Sequence, residues 1–180
     1  MNQLPADITV RRARTADVKA IREFVDAYAP ERKLLNKPTV TLYEDVQEFW
    51  VADRAVPVES GALASAAVVG CGALHVMWED LAEVRTLAVA PAMRGKGIGH
   101  LLLEHLLETA RDLGVRRLFC LTFEVDFFAS HGFAEIDGFP VAPDVFEELL
   151  RSYDEGVAEF LDLERVKPNT LGNTRMIMYL

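Results

Sequence analysis

The sequence contains little cysteine, and its acidic residues outnumber its basic ones. Its two cysteines, Cys71 and Cys120, each lie in an apolar, strand-like run, which predicts buried free thiols rather than a disulfide. A zinc site needs more ligands at closer spacing, so no metal is expected. The 19 basic residues against 28 acidic ones give a net charge of −9. This balance argues against nucleic acid or an anionic membrane as the main partner.

A secretory signal pattern and an apolar run long enough to cross a bilayer are both absent from the sequence. We therefore expect a cytoplasmic protein that does not bind membranes. A chain of 180 residues, 51% of them hydrophobic, suffices for one compact α/β domain with a sizeable core, and we predict a single domain over residues 1–180.

Apolar periodicity predicts strands and helices along the whole chain. The predicted strands are 7–12, one beginning at 50–53, 66–77, 83–89, 115–123, one opening at 132–133, and 175–180. The predicted helices are 15–28 with Thr15 as N-cap, 41–49, 98–113 ending at Gly114, 124–131, 144–153 and 156–163. Residues 30–38 and 55–65 are predicted connections.

The most informative stretch runs from Glu83 to Gly99 and is typical of a strand, a glycine-rich cationic loop and a helix. Free backbone N–H groups in such a loop, with the positive end of the helix dipole, suit a pyrophosphate. The spacing matches neither the dinucleotide-binding glycine pattern nor the P-loop, which excludes phosphoryl transfer. The loop residues are Arg94, Gly95, Lys96, Gly97, Ile98 and Gly99. The alternative to pyrophosphate binding is that these glycines only form the turn between the strand and the helix.

The pattern Arg94-x-x-Gly97-x-Gly99 after Leu87-Ala88-Val89 resembles the acetyl-CoA loop of the GNAT acyltransferases. The resemblance implies an α/β fold: a mixed, mostly antiparallel sheet of about seven strands, flanked by helices and splayed between strands 4 and 5. It also implies acetyl-CoA as co-substrate. The pantetheine arm would bind backbone groups near Leu87, Ala88 and Val89, where an N–H would face the thioester oxygen.

Glu83 is the candidate general base. It begins the fourth strand, where histone-modifying members of the GNAT family carry a catalytic glutamate in a similar context. The alternative is a solvated carboxylate at a strand end. Arg85 lies on the same face of the strand by alternation, so it would bind a substrate carboxylate or pair with Glu83.

No general acid is predicted. Many GNAT enzymes carry a tyrosine in the short helix after the fifth strand, where this chain has Phe127-Phe128-Ala129-Ser130-His131. Phe128 has no proton to donate, and a thiol with a pKa of about 8.5 can leave without a dedicated acid. We expect Phe127 and Phe128 to pack along the pantetheine arm or in the core.

A finer resemblance, to short-form amino-acid N-acetyltransferases of the N-acetylglutamate synthase type, spans nearly the whole chain. It rests on Leu42-Tyr43-Glu44, the runs 46–51, 70–76 and 121–124, Ser152-Tyr153-Asp154, the runs 156–163 and 166–169, and Leu171-Gly172-Asn173. The resemblance implies acetylation of the α-amino group of L-glutamate or L-glutamine, the first step of arginine biosynthesis. It also implies a homodimer, with L-arginine as a possible feedback effector.

An amino-acid substrate needs a cation for its carboxylate. By the resemblance, Lys37 and His75 match basic residues of the long-form synthases, and Arg85 is a third candidate. The long forms hold the side-chain carboxylate with an arginine and a serine. This chain has Gly172 and Thr174 there, so Asn173 and Thr174 are the candidate contacts, and glutamate and glutamine both stay open.

Two other functions fit the sequence. One is a GNAT enzyme for another small amine or for a protein N-terminus. The other is a weakly catalytic module that binds acyl-CoA or senses arginine. The glycine loop reports CoA binding only, whereas Glu83 and the cluster of Lys37, His75 and Arg85 favour catalysis on an acid-bearing substrate. Release of CoA thiol with free amino acids distinguishes these functions.

Overall fold

The computed structural model describes residues 6–28, 37–56, 65–138, 140–166 and 172–180. The strands in these ranges form one sheet in the order β1-β2-β3-β4-β5-β7-β6. They are β1 (Ile8–Arg12), β2 (Phe49–Val56), β3 (Ser65–Trp78), β4 (Leu81–Val89), β5 (Arg117–Thr122), β6 (Ala134–Glu135) and β7 (Thr174–Tyr179). β5 pairs parallel with β4 and antiparallel with β7, and β1–β2, β2–β3 and β6–β7 are antiparallel. The mixed, mostly antiparallel seven-stranded sheet is therefore confirmed.

The described residues also form six helices, whereas β3 and β4 follow each other through a turn at residues 79–80. The helices are α1 (Val18–Tyr28), α2 (Thr39–Glu44), α3 (Ile98–Asp112), α4 (Val125–Ala129), α5 (Pro143–Leu149) and α6 (Glu155–Phe160), with single 3-10 turns at Thr15–Asp17, Val46–Glu48, Pro91–Met93 and Glu164–Val166. α3 is amphipathic and ends, as predicted, before Gly114 in the left-handed conformation (φ +82°).

Several helix boundaries differ from the prediction, and α5 and α6 end at Leu149 and Phe160 rather than at residues 153 and 163. Thr15 is not the N-cap of a helix, because a 3-10 turn starts there after Arg14. The side chain of Asp17 accepts the N–H of Arg14 at 2.7 Å, which fixes this turn. The predicted helix over 41–49 ends earlier, at Glu44, and Phe49 already pairs with Ala73 of β3. Most of the two predicted connections, residues 29–36 and 57–64, lies outside the described residues.

The chain groups into two compact units. Unit 1 comprises residues 1–74 and 86–109, and unit 2 comprises residues 75–85 and 110–180. The division falls within β3 and within β4, so neither unit is a continuous piece of chain. The single domain expected over 1–180 stays a prediction.

Unit 1 has its apolar core on both faces of its strands. One cluster packs α1 and α2 on β2 and β3, with Val18, Ile21 and Val51 fully buried. The other packs α3 on the same strands. A Cβ at Gly70 would lie 3.0 Å from the Ala88 carbonyl oxygen and 3.1 Å from Leu102, so glycine there permits close approach of α3 to the sheet.

Unit 2 has a core of its own between β5 and the later helices. Phe119 and Phe160 are fully buried and meet edge to face, with ring centroids 5.3 Å apart. Leu81, Val157 and Leu161 complete this cluster with Met77 and Leu149. The predicted free thiols are confirmed, since Cys71 in unit 1 and Cys120 in unit 2 are both buried and unbridged.

Candidate active site

The glycine loop of unit 1 has the backbone geometry that anion binding requires. Gly95 and Gly97 have φ of +73° and +82°, the left-handed region that a side chain disfavours. The carbonyl of Gly97 accepts the N–H of Leu101 at 3.0 Å, so the helical hydrogen bonds of α3 begin here. The first N–H groups of a helix find no acceptor within it, and the dipole of this 15-residue helix adds positive potential.

Tyr28, at the end of α1, fastens the loop to the end of β4. Its hydroxyl donates to the carbonyl of Val89 at 2.6 Å and accepts from Nε of Arg94 at 3.1 Å. The Arg94 guanidinium also lies over the Tyr28 ring, 4.8 Å from its centroid. Lys96 reaches back to the sulfur of Met93 at 3.5 Å. Tyr28 therefore orients one of the two cations of the loop.

Strand β4 carries an unusual backbone conformation at Thr86, whose φ is +55°. This region is costly for a β-branched residue, by about 1–3 kcal/mol, and it changes the direction of the side chains that follow. The thiol of Cys71 donates to the Thr86 carbonyl at 3.4 Å, and burial raises the pKa of that thiol to about 12. Beyond Thr86, Ala88 is buried, whereas Leu87 and Val89 are half-buried.

Glu83 is only 4% exposed in unit 2, so the alternative of a solvated carboxylate is wrong. Glu83 opposite Phe119 is the last pair of the β4–β5 ladder, which begins at Leu81 opposite Arg117. This early end of pairing agrees with the predicted splay of strands 4 and 5. Nη1 of Arg85 lies 3.7 Å from Oε2 of Glu83, so the two residues share a face as predicted.

Asp154, directly before α6, joins Glu83, Arg85 and His75 into one charged cluster. Its Oδ2 accepts a hydrogen bond from Nη1 of Arg85 at 2.9 Å and lies 3.8 Å from Nε2 of His75. Its Oδ1 accepts the N–H of Val157 at 3.1 Å and so caps α6. Burial opposes ionisation of Asp154, but the charge and hydrogen bond of Arg85, with His75 and the Val157 N–H, outweigh it and lower its pKa.

The first turn of α6 makes room for the carboxyl group of Glu83. A Cβ at Gly156 would lie 2.8 Å from Cδ of Glu83, closer than such contacts occur. On its other side, β5 brings Cys120 near the same carboxylate. Burial raises the pKa of Cys120 most strongly, and the charge of Glu83 raises it further, so this thiol stays protonated.

The two phenylalanines of α4 differ in their surroundings. Phe128 is 6% exposed and packs edge to face on Phe127 and Phe133, with centroids 5.2 Å away in both cases. It therefore belongs to the core. Phe127 is half-buried, and its ring lies tilted against that of His131 with centroids 4.9 Å apart, so it is the more accessible of the two toward a ligand.

The remaining substrate candidates are placed less tightly. In unit 1, Nζ of Lys37 lies 3.8 Å from Oδ2 of Asp45, and the two side chains form an ordinary ion pair. In unit 2, Thr174 begins β7 opposite Thr122, and both Asn173 and Thr174 are half-buried. Gly172 has φ +83°, and a Cβ there would lie 3.2 Å from Phe123, which accounts physically for glycine at this position.

Sequence reasoning anticipated His75, Glu83 and Arg85, which the structure brings together in unit 2. It missed Tyr28, Thr86, Asp154 and Gly156. An acidic residue just before an apolar helix is a typical N-cap, so the sequence around Asp154 predicts a cap. That pattern does not predict which arginine Asp154 pairs with. Within the described ranges, no group of three or more His, Cys, Asp or Glu residues could hold a metal ion, and no helix is both long and apolar enough to cross a membrane.

The chain is similar to known acetyltransferases in sequence and in fold. Residues 20–139 match the model of the acetyltransferase (GNAT) family. The chain is 59% identical, over the full length of both proteins, to an amino-acid acetyltransferase of Mycobacterium tuberculosis. It also matches the crystal structure of Rv2747 from that organism in complex with CoA and NLQ, with a TM-score of 0.86 and 60% identity over 96% of this chain and 99% of the other.

A more distant structure supports the fold alone. N-acetylglutamate synthase from Neisseria gonorrhoeae, complexed with coenzyme A and N-acetyl-glutamate, has a TM-score of 0.72 at 22% identity. The match covers 97% of this chain but 35% of the synthase. The chain thus belongs to the GNAT family of acetyltransferases, enzymes that take their acetyl group from acetyl-CoA.

Proposed function

We propose that this enzyme transfers the acetyl group of acetyl-CoA to the α-amino group of L-glutamate or L-glutamine. The products are the N-acetyl amino acid and CoA, and the reaction would open arginine biosynthesis. The full-length similarity to an amino-acid acetyltransferase supports an amino acid as acceptor. The observation that carries the proposal is the cluster of buried Glu83 and Arg85 with half-buried Asp154 and His75, which combines a base with basic groups for an acid-bearing substrate.

The glycine loop binds the donor in this proposal. Backbone N–H groups around Gly95 and Gly97 and the N-terminus of α3 face the pyrophosphate, and Arg94 and Lys96 add charge. The pantetheine arm bonds to β4 at Leu87 and Val89. An N–H near Leu87 or Ala88 then donates to the thioester oxygen as negative charge develops on it.

The chemical step needs one base. Glu83 accepts a proton from the ammonium group of the substrate, and the free amine attacks the thioester carbonyl. The attacking nitrogen loses its second proton to solvent, and the tetrahedral intermediate collapses with cleavage of the C–S bond. The sulfur leaves as a thiolate that takes a proton from solvent, and Glu83 releases its own proton to solvent before the next turnover. Phe128 lies in the core, where it has neither a proton to give nor a route to the leaving group. Holding both substrates in place supplies much of the remaining acceleration.

We propose that His75, in preference to Arg85, binds the substrate carboxylates. The His75 side chain is 22% exposed, whereas that of Arg85 is 8% exposed and already bound by Asp154. Asn173 and Thr174 are proposed for the far end of the substrate side chain. Lys37 stays a candidate, but its ion pair with Asp45 offers an ordinary structural role.

The test is release of CoA thiol from acetyl-CoA with a panel of acceptors. We expect turnover with L-glutamate and L-glutamine and background rates with D-glutamate, polyamines and a peptide N-terminus. A faster rate with a polyamine or a peptide would contradict the proposal. The same assay with added L-arginine tests the predicted effector, and light scattering tests the predicted homodimer.

A further inference from the structure

Two arginines of this chain, one in each unit, lie between a pair of carboxylates. Arg11, in unit 1, donates to both of its partners, with Nε 2.6 Å from Asp53 and Nη1 2.7 Å from Asp17. Arg85, in unit 2, bonds Asp154 at 2.9 Å but lies 3.7 Å from Glu83. Each arginine has two carboxylates as neighbours, two aspartates for Arg11 and an aspartate and a glutamate for Arg85, yet the second cluster keeps its glutamate beyond hydrogen-bond distance of Nη1.

The segment that starts α6 produces this asymmetry. Asp154 accepts the Val157 N–H with one oxygen and the Arg85 guanidinium with the other, so the helix cap and the ion pair fix each other. Gly156 comes two residues later. Glycine forms helices less readily than alanine, so its presence in the first turn of α6 needs another reason. That reason is space, because the Glu83 carboxyl group fills the position of the missing Cβ.

The strength of a carboxylate base depends on the charges around it. An ion pair with Arg85 as short as those of Arg11, in place of the present 3.7 Å contact, would stabilise the ionised form of Glu83 further and weaken it as a base. Within the part of the chain that the structure describes, the charged and titratable groups near Glu83 include Arg85 on its own strand, the protonated Cys120 on β5 and Asp154 before α6, with His75 acting on Asp154 from β3. Asp154 is the group that draws Arg85 away and adds a second negative charge nearby.

We propose that Asp154 and Gly156 are positioning residues for Glu83: Asp154 holds Arg85 off the base, and Gly156 leaves room for its carboxyl group. This proposal rests on the proposed function, in which Glu83 is the base. It gives the start of α6 a role in setting the pH range of acetyl transfer.

The variant Asp154→Asn tests the role of the charge. Asparagine caps helices as well as aspartate, so α6 is kept while the negative charge is lost. Arg85 then turns toward Glu83. We expect the acid limb of the kcat/KM profile to move to lower pH by about one unit, with a several-fold lower kcat at neutral pH and unchanged affinity for CoA.

Asp53→Asn is the matched control, because it removes one carboxylate from the Arg11 pair. It should lower the free energy of unfolding without moving the pH profile.

Gly156→Ala tests whether the Glu83 carboxyl group needs the space left by the missing Cβ. This variant should lower kcat while leaving the CoA dissociation constant unchanged. If it does not fold, the result for Asp154→Asn alone decides.

Glu83→Gln, measured in parallel, separates the test of the positioning proposal from the test of the proposed function. If it loses turnover while folded Asp154→Asn keeps the wild-type pH profile, Glu83 is the base and the positioning proposal is wrong. If Glu83→Gln keeps full turnover, the proposed function loses its base and the positioning proposal falls with it.

Discussion

The glycine loop and the carboxylate cluster are built in opposite ways. The loop uses backbone groups from one short stretch of chain, and its main requirement is the positive φ of Gly95 and Gly97. The cluster uses side chains from three segments, since Asp154 lies 69 residues from Arg85. A backbone site fails when a side chain blocks it or strains it, whereas a side-chain site fails when a charge changes. The two kinds of damage should therefore separate donor binding from chemistry.

The largest effect is expected from Gly97→Val. Its φ of +82° disfavours a β-branched residue, and the new side chain would occupy the approach of the pyrophosphate to the backbone. We expect loss of acetyl-CoA binding by calorimetry. Gly114→Val is the matched control, because Gly114 has the same φ of +82° but lies beyond α3 with nothing within 4 Å of its Cβ position. Equal loss of binding in both variants would attribute the effect to strain.

Glu83→Gln should produce the converse result. Acetyl-CoA binding should be unchanged, and turnover should fall by about 10²-fold or more because the proton acceptor is gone. The acid limb of the pH–rate profile should also flatten. Steady-state kinetics with a separate binding measurement check this prediction. Weakened CoA binding in this variant would show that the loop and the cluster are not separable.

Asp17→Asn should affect stability and leave chemistry alone. The hydrogen bond from Arg11 is the main cause of the lowered pKa of Asp17, outweighing burial. A carboxyl group with a depressed pKa stabilises the fold above its unfolded pKa of about 4, and this contribution is lost as the pH falls through the folded value. The variant should therefore be less stable at neutral pH, with a smaller further loss below about pH 4. Urea unfolding across pH measures it, and an altered kcat would contradict the assignment.

The smallest effect concerns the choice between two substrates. Because position 172 is a glycine and not an arginine, the side-chain carboxylate of glutamate lacks a cationic partner at this position. The glutamine amide can instead both donate and accept hydrogen bonds with Asn173 and Thr174. We expect kcat/KM for glutamine to equal or exceed that for glutamate. Gly172→Arg should shift the ratio toward glutamate.

The positive φ of Gly172 and its closeness to Phe123 mean that any side chain there is strained, so Gly172→Ala is the control. It carries the same strain without a charge, and the ratio should stay at the wild-type value. A shift of equal size in both variants would assign the change to backbone movement.

Sequence reasoning succeeded where the deciding interactions are local. The strand, the loop and the helix from Glu83 onward follow from adjacent residues, and so does the C-terminal glycine of α3. The early end of α2 was missed because the apolar spacing of Leu42, Val46 and Phe49 fits a helix, whereas pairing of Phe49 with β3 fixes the strand instead.

The parts that could not be predicted depend on distant partners. The left-handed conformation of Thr86 has no sequence signature, because threonine disfavours it and only the folded surroundings impose it. The spacing that pointed to Glu83 and Arg85 did not reveal Asp154, which completes their cluster. Lys37 was predicted by resemblance, and the structure places this half-buried lysine in an ion pair with Asp45, an ordinary structural contact that the resemblance did not reveal.

The division of β3 and β4 between the two units bears on how the chain folds during synthesis. Unit 1 requires residues 86–109, so its first 74 residues emerge from the ribosome before their packing partner α3 exists. Unit 2 can form only later, after residues 174–179 are synthesised, because β5 pairs with β7 there. Cutting the chain after residue 85 would yield no fragment that holds either unit whole, because unit 1 continues at residue 86 and unit 2 begins at residue 75. Cooperative folding late in translation, rather than stepwise folding of an N-terminal half, is the expected route.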